Sequence, residues 1–116
     1  MTVLLILNDP PYGTERSYNA FRLALQLAKP DHVAVRVFLM ADAVGCARSG
    51  QVTPDGYYNL ERMVRGVVKR GGAIGACGTC MDARGMQDAD LTDGVHRSTM
   101  EELGRWVLEA DRIVTF

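Results

Sequence analysis

The chain has 116 residues and a formal net charge of −1, with 47% apolar and 23% charged side chains. That is single-domain length and ordinary globular composition, enough to bury a core without a metal or disulfide to hold it. It excludes the broad basic field that draws a protein to nucleic acid, and no apolar stretch approaches the ~20 residues of a membrane span.

Val3 to Leu7 is a continuous apolar run, the pattern of a strand covered on both faces. No basic segment precedes it, and Asn8-Asp9-Pro10-Pro11 follows without a small-residue cleavage site. It therefore reads as a first buried strand rather than an export signal, and a cytoplasmic, reducing location is expected. Asp9 to Gly13 forms a loop. Thr14 is placed to cap the next helix, with Glu15 in its first turn. That helix puts Ala20, Phe21, Ala24, Leu27 and Ala28 on one face and ends before Pro30.

A Val-rich second strand spans His32 to Met40. Asp42 to Gly56 reads as a loop with room for a short helix; at about fifteen residues it is long enough to suggest function. Leu60, Met63, Val64, Val67 and Val68 then mark a helix, which Gly71-Gly72 terminates. A short strand, Ala73 to Ala76, delivers the chain to Cys77. A short helix is expected from Thr79 to Arg84, then an acidic loop from Gln87 to Gly94. Ser98 with Glu101 forms a capping box for a helix burying Met100, Leu103, Val107 and Ala110. Arg112 to Phe116 is the last strand.

Strands alternating with helices predict one α/β domain over residues 1–116, with a mainly parallel sheet covered on both faces. Ligands of such sheets bind beyond the strand carboxyl ends. The Asp9–Gly13 loop, the loop after Met40 and Cys77 should gather there.

The chemistry centres on Ala76-Cys77-Gly78-Thr79-Cys80-Met81-Asp82. The chain has three cysteines; in a reducing compartment a C-x-x-C pair points to redox, transfer or metal chemistry rather than a disulfide scaffold. At a strand-to-helix junction, unpaired backbone N–H groups favour the Cys77 thiolate, the reactive form. Cys80 lies one helical turn on, and Arg84 is the nearest cation in sequence. Three functional readings stand open: a persulfide carrier on Cys77, a dithiol–disulfide couple, and a metal site. Structural zinc wants four ligands, and Cys46, His32 and His96 lack ligand-like spacing, so no metal is expected. The plain alternative is that both cysteines are small buried hydrophobes. Cys46 reads as structural and His96 as solvated.

A phosphate-binding first loop would carry glycines and open N–H groups. Pro10, Pro11 and Glu15 stand there instead, so no nucleotide or flavin cofactor is expected. Tyr12 and Glu15 are candidate substrate-orienting residues. Trp106 reads as a core or interface aromatic, and Tyr57-Tyr58 as covering either the thiols or a subunit contact.

Ordered motifs run along the chain: Pro11-Tyr12-Gly13-x-Glu15, Leu23-Ala24, Phe38-Leu39-Met40-x-Asp42-Ala43-Val44, Gly50-Gln51, Gly56-Tyr57, Cys77-x-Thr79-Cys80-x-Asp82-x-Arg84-Gly85, Asp93-Gly94-Val95 and Ala110-Asp111-x-x-Val114-Thr115-Phe116. In these the sequence resembles the YchN-like branch of the DsrE/DsrF/TusD group. The resemblance implies a flavodoxin-like three-layer α/β/α fold with about five strands. It implies a homotrimer or homohexamer, sulfur-donor and sulfur-acceptor protein partners, and sulfur carried as a cysteine persulfide. The acceptor role maps onto Cys77 by its offset from Arg84-Gly85, with Cys80 resolving or stabilising the persulfide and Asp82 and Arg84 beside it. Cys80 is absent from many relay members, which keeps thiol–disulfide chemistry open. A non-catalytic binding module is the remaining class.

Overall fold

The computed structural model describes the whole chain, residues 1–116. In chain order the elements are β1 (Thr2–Leu7), α1 (Arg16–Leu27), β2 (Ala34–Leu39), a 3-10 turn (Ala41–Ala47), α2 (Leu60–Lys69), β3 (Ala73–Cys77), α3 (Gly78–Asp82), a second 3-10 turn (Asp88–Asp90), β4 (Val95–Ser98), α4 (Met100–Glu109) and β5 (Arg112–Thr115). The strands form one sheet in the order β4-β3-β2-β1-β5, and every pairing is parallel.

The apolar runs settle in the middle of this sheet. Leu4, Leu5 and Leu7 of β1 and Val37, Phe38 and Leu39 of β2 are almost wholly buried. Both faces of the central strands are covered, which is why β1 reads as unbroken hydrophobicity. The edge strands β4 and β5 carry His96, Arg97 and Arg112, all exposed, as befits edges that need pair on one side only.

The chain steps from β1 through β4 in one direction, then returns across the sheet to β5. Right-handed crossovers therefore place α1, α2 and α3 on one face and α4 on the other. The packing agrees. Helices α1 and α2 pack on each other. On the opposite face Trp106 of α4 meets Phe38 edge-on at a ring separation of 6.3 Å, and Glu109 pairs with Arg36. The consequence is local to β3 and β4. These neighbours send their following helices, α3 and α4, to opposite faces, and a crevice opens between their carboxyl ends, the usual ligand position in this architecture.

Details at β4, α4 and α1 depart from the sequence expectations. A fifth strand, β4, occupies Val95–Ser98, between the two last helices. Its ladder runs on to pair Cys77 with Ser98, so Ser98 is still strand and the helix cap falls one residue later. Thr99 accepts the Glu102 N–H at 3.2 Å. Helix α4 then buries Leu103 and Trp106 and leaves Met100, Val107 and Leu108 exposed. At α1 the cap position is Glu15, with no side-chain cap bond; Thr14, one residue earlier, accepts the Arg16 N–H at 3.4 Å and donates to Asp9. The long loop after β2 holds the short helix the sequence left room for, a 3-10 turn over Ala41–Ala47.

Candidate functional site

Cys77 ends β3 and caps α3. The sheet fixes its backbone and the turn of α3 supplies its surroundings. Its sulfur accepts the Cys80 backbone N–H at 3.4 Å and lies 3.3 Å from the Thr79 hydroxyl. Burial pushes the Cys77 thiol up, but hydrogen bonds from the Cys80 thiol, the Thr79 hydroxyl and the backbone N–H groups of Cys80 and Thr79 outweigh it. The group ends below its ordinary value. Cys80 moves the opposite way. Burial and the hydrogen bond it shares with Cys77 raise it, against smaller contributions from the Ala41 N–H and Arg84. The two thiols are thus pushed apart: Cys77 ionises more readily than an ordinary thiol and Cys80 less readily.

The two sulfurs face different surroundings. Cys77 lines an open cavity of about 210 Å³ with Gly78, Thr79, Arg97, Ser98, Thr99 and Met100. This is the crevice between β3 and β4. Cys80 is absent from that lining. Its sulfur instead accepts the Ala41 N–H at 3.2 Å, on the side of the 3-10 turn after β2. Ala41 has φ +51°, a left-handed conformation uncommon for a residue with a Cβ. It is held there beside an ion pair: Arg84 reaches Asp42 at 2.8 Å and donates to the Cys80 carbonyl at 3.0 Å.

Arg97 closes the wall of the Cys77 cavity. Its guanidinium makes two hydrogen bonds to Asp82, at 3.0 and 2.8 Å, with Asp88 further off at 3.7 Å. The fork geometry suits arginine rather than lysine. This arrangement explains Gly78. A Cβ there would stand 2.7 Å from Arg97 Nε, so only glycine lets the guanidinium lie across the first turn of α3.

Below the cavity, Glu102 gathers two partners from β4. Ser98 Oγ donates to it at 2.6 Å, and His96 Nε2 meets the same oxygen. Burial raises the Glu102 carboxyl, but Ser98, His96 and Arg105 together hold it below the usual range.

The structure therefore joins Cys77, Cys80, Asp82 and Arg84 but divides their surroundings. Arg84 serves Cys80, and the cation over the start of α3, beside Cys77, is Arg97. Tyr12 and Glu15 lie outside the cavity. The Tyr12 hydroxyl donates to Gln51 at 2.5 Å and accepts the Leu60 N–H at 3.1 Å. Its ring stacks 5.7 Å from Tyr58, and Tyr57 and Tyr18 stack on Tyr58 in turn. All four tyrosines of the chain thus form one cluster. Glu15 is exposed. Cys46 is fully buried, with burial pushing its thiol to about 12 against a smaller opposing bond from Ser17. His96 and Cys46 join no metal-ligating cluster with the pair: nowhere do three or more His, Cys, Asp or Glu side chains converge as metal ligands would.

Sequence reasoning missed Arg97, Ser98, Thr99 and Ala41. One signal pointed to the first three. The expected order set two helices in succession, around Thr79–Arg84 and after Ser98, where a parallel α/β chain needs a strand between them. Nothing in the sequence marks the left-handed Ala41.

Comparison with known proteins agrees with the fold. The chain matches the DsrE/DsrF-like family over residues 1–116. It is 36% identical over 115 residues to Protein YchN of Escherichia coli strain K12, covering 98% of this chain and 97% of that one. The crystal structure of the E. coli ychN protein superimposes with a TM-score of 0.93 at 36% identity, covering 100% of this chain and 99% of the other. A more distant relative, the sulfurtransferase TusD homolog of Vibrio cholerae serotype O1, is 25% identical over 131 residues, covering 100% of this chain and 98% of its own. No helix is long and apolar enough to cross a membrane.

Proposed function

The chain belongs to the DsrE/DsrF-like family, and from that premise we propose that it is a sulfur-relay protein carrying sulfane sulfur as a persulfide on Cys77. One observation carries the reading. The Cys77 sulfur takes the Cys80 backbone N–H and lies against the Thr79 hydroxyl of its own helix turn, facing a cavity, with a second cysteine one turn on. A thiolate so held attacks the outer sulfur of a donor persulfide. The donor S–S bond breaks, the donor leaves as a thiolate, and Cys77 gains one sulfur with no change in overall oxidation state. The likeness to the TusD homolog supports the same chemistry. Asp82 serves it by fixing Arg97, and Arg84 by bracing Cys80.

Sulfur-donor and sulfur-acceptor proteins are the partners of this reading, in a reducing cytoplasm. Self-association into a homotrimer or homohexamer belongs to it as well. Exposed Met100, Val107 and Leu108 on α4 and Ile113 on β5 are apolar surface available for such contacts. Sedimentation showing only monomer at micromolar concentration would count against assembly.

The test is intact-mass measurement after exposure to a cysteine desulfurase and cysteine. We expect a reducible gain of one sulfur that disappears in Cys77→Ser. No gain at any cysteine overturns the proposal.

A thiol–disulfide couple is the second reading, favoured by the place of Cys80 one turn after Cys77, its backbone N–H on the Cys77 sulfur. It requires mild oxidation to link Cys77 to Cys80 and a thioredoxin-type reductant to reverse the link. Persistence of both free thiols under oxidant removes it. A non-catalytic module would instead show slow, ordinary alkylation of Cys77 at neutral pH.

A further inference from the structure

The relay reading needs only one sulfur atom to carry the load, yet the fold supplies two sulfurs with separate surroundings. Cys77 is 4% exposed and looks into the β3–β4 cavity. Cys80 is more exposed and looks the other way, toward Ala41 and the Arg84–Asp42 pair. Each sulfur has its own polar donors. Cys77 has Thr79 Oγ1 and the Cys80 N–H; Cys80 has the Ala41 N–H, presented by a left-handed residue. A residue with a Cβ adopts that backbone only when its surroundings hold it. An N–H aimed at a sulfur stabilises that sulfur most when it is anionic. A cysteine serving only as proton donor to Cys77 has no need of such a donor.

We propose that the bound sulfur moves within the protein, entering on Cys77 from the β3–β4 cavity and leaving from Cys80 on the opposite side of α3. This deepens the relay reading and rests on it. The step is balanced. Charged Cys77 bears an anionic outer sulfur. The Cys80 thiol gives its proton to that sulfur, leaving a Cys80 thiolate against the Ala41 N–H. The thiolate attacks the outer sulfur, a new S–S bond forms to Cys80, the Cys77 S–S bond breaks, and Cys77 leaves as a thiolate into its own set of donors. One negative charge and one transferable proton are present before and after, and no oxidant or reductant is consumed.

Two doors follow from the arrangement. A sulfur donor must reach into the cavity lined by Arg97, Ser98, Thr99 and Met100. An acceptor thiol must approach past the Arg84–Asp42 pair, whose side chains are 35% and 61% exposed. Donor and acceptor therefore use different faces of one protomer and need not displace each other.

The experiment follows the sulfur in the intact protein. The wild type, Cys77→Ser and Cys80→Ser are mixed with a low-molecular-weight alkyl persulfide and quenched at intervals with iodoacetamide. Fragmentation of the segment holding both cysteines then locates the added sulfur. The expected result is early label on Cys77 and later label on Cys80 in the wild type. Label should stay on Cys77 in Cys80→Ser, and Cys80 should fail to charge in Cys77→Ser. Label confined to Cys77 in the wild type overturns the transfer, as does Cys80 charging at the wild-type rate in Cys77→Ser. So does formation of a Cys77–Cys80 disulfide with release of hydrosulfide. Absence of label from every cysteine overturns the relay reading itself.

Discussion

Two corners of this molecule follow strand ends and carry candidate site residues. At the β3–β4 corner, Cys77, Thr79 and Arg97 border a cavity. At the corner formed by the loop after β1 and the start of α2, Tyr12, Tyr57, Tyr58 and Tyr18 stack on one another. In the first, donors converge on a sulfur that takes on charge. In the second, the Tyr12 hydroxyl is already engaged as donor and acceptor, and aromatic rings occupy the space. Topology accounts for the difference. The helices after β3 and β4 leave for opposite faces and part the chain there, whereas α1 and α2 lie on the same face and close over their corner.

The sharpest way to separate the corners is Thr79→Val, which removes one hydroxyl from Cys77 and keeps the side-chain shape. Alkylation follows the thiolate fraction, so the rate climbs as pH rises through the folded thiol pKa, which lies below the ordinary value. Without the Thr79 bond that midpoint moves up. Hydrogen bonds to charged groups contribute about 1.5–3 kcal/mol, so alkylation at a pH below the wild-type midpoint should fall by about tenfold or more. At alkaline pH the two proteins should converge. The stability this thiolate contributes is present above the unfolded thiol's pKa and lost as pH falls through the folded one. An unchanged midpoint would show that the hydroxyl does not donate to the sulfur.

Arg97→Ala is a weaker perturbation of the same corner. The Arg97 and Asp82 side chains are 36% and 62% exposed, and solvent screens such pairs strongly. The slowing of Cys77 alkylation should be about twofold to fivefold and shrink with added salt. Arg97→Lys should restore the charge but not the two-point hold on Asp82. Gly78→Ala should give a similar slowing by displacing the guanidinium. Salt-independent rates in all of these proteins would remove Arg97 from the account of Cys77.

These comparisons also show what the sequence could disclose. β1 and β2 announce themselves because central strands must be apolar on both faces. Cys77 is legible because a strand, a glycine-flanked turn and a second cysteine coincide there. β4 is nearly silent: Val95-His96-Arg97-Ser98 is an edge strand of four residues, held by backbone bonds and carrying no apolar alternation. Losing it also hid Arg97, and left Arg84 as the apparent cation for Cys77. Arg84 is near in sequence, but the turn of α3 carries it to Asp42. The pairing of Tyr12 with Gln51 spans 39 positions, and no local pattern encodes it.

The smallest effect on the thiols belongs to Tyr12→Phe, and it tests the division most directly. The sequence placed Tyr12 at a strand's carboxyl end with Cys77, and a substrate-orienting role would require its hydroxyl. In the folded chain that hydroxyl ties the loop after β1 to Gln51 and to the start of α2. Gln51 in turn bonds the carbonyls of Cys46 and Arg48. Its removal should therefore register as stability, about 1 kcal/mol by denaturant titration, with the stacked rings retained. The Cys77 alkylation midpoint and the extent of sulfur loading should both be unchanged. A variant of wild-type stability that loads sulfur poorly would reverse the assignment and place the tyrosine corner at the site.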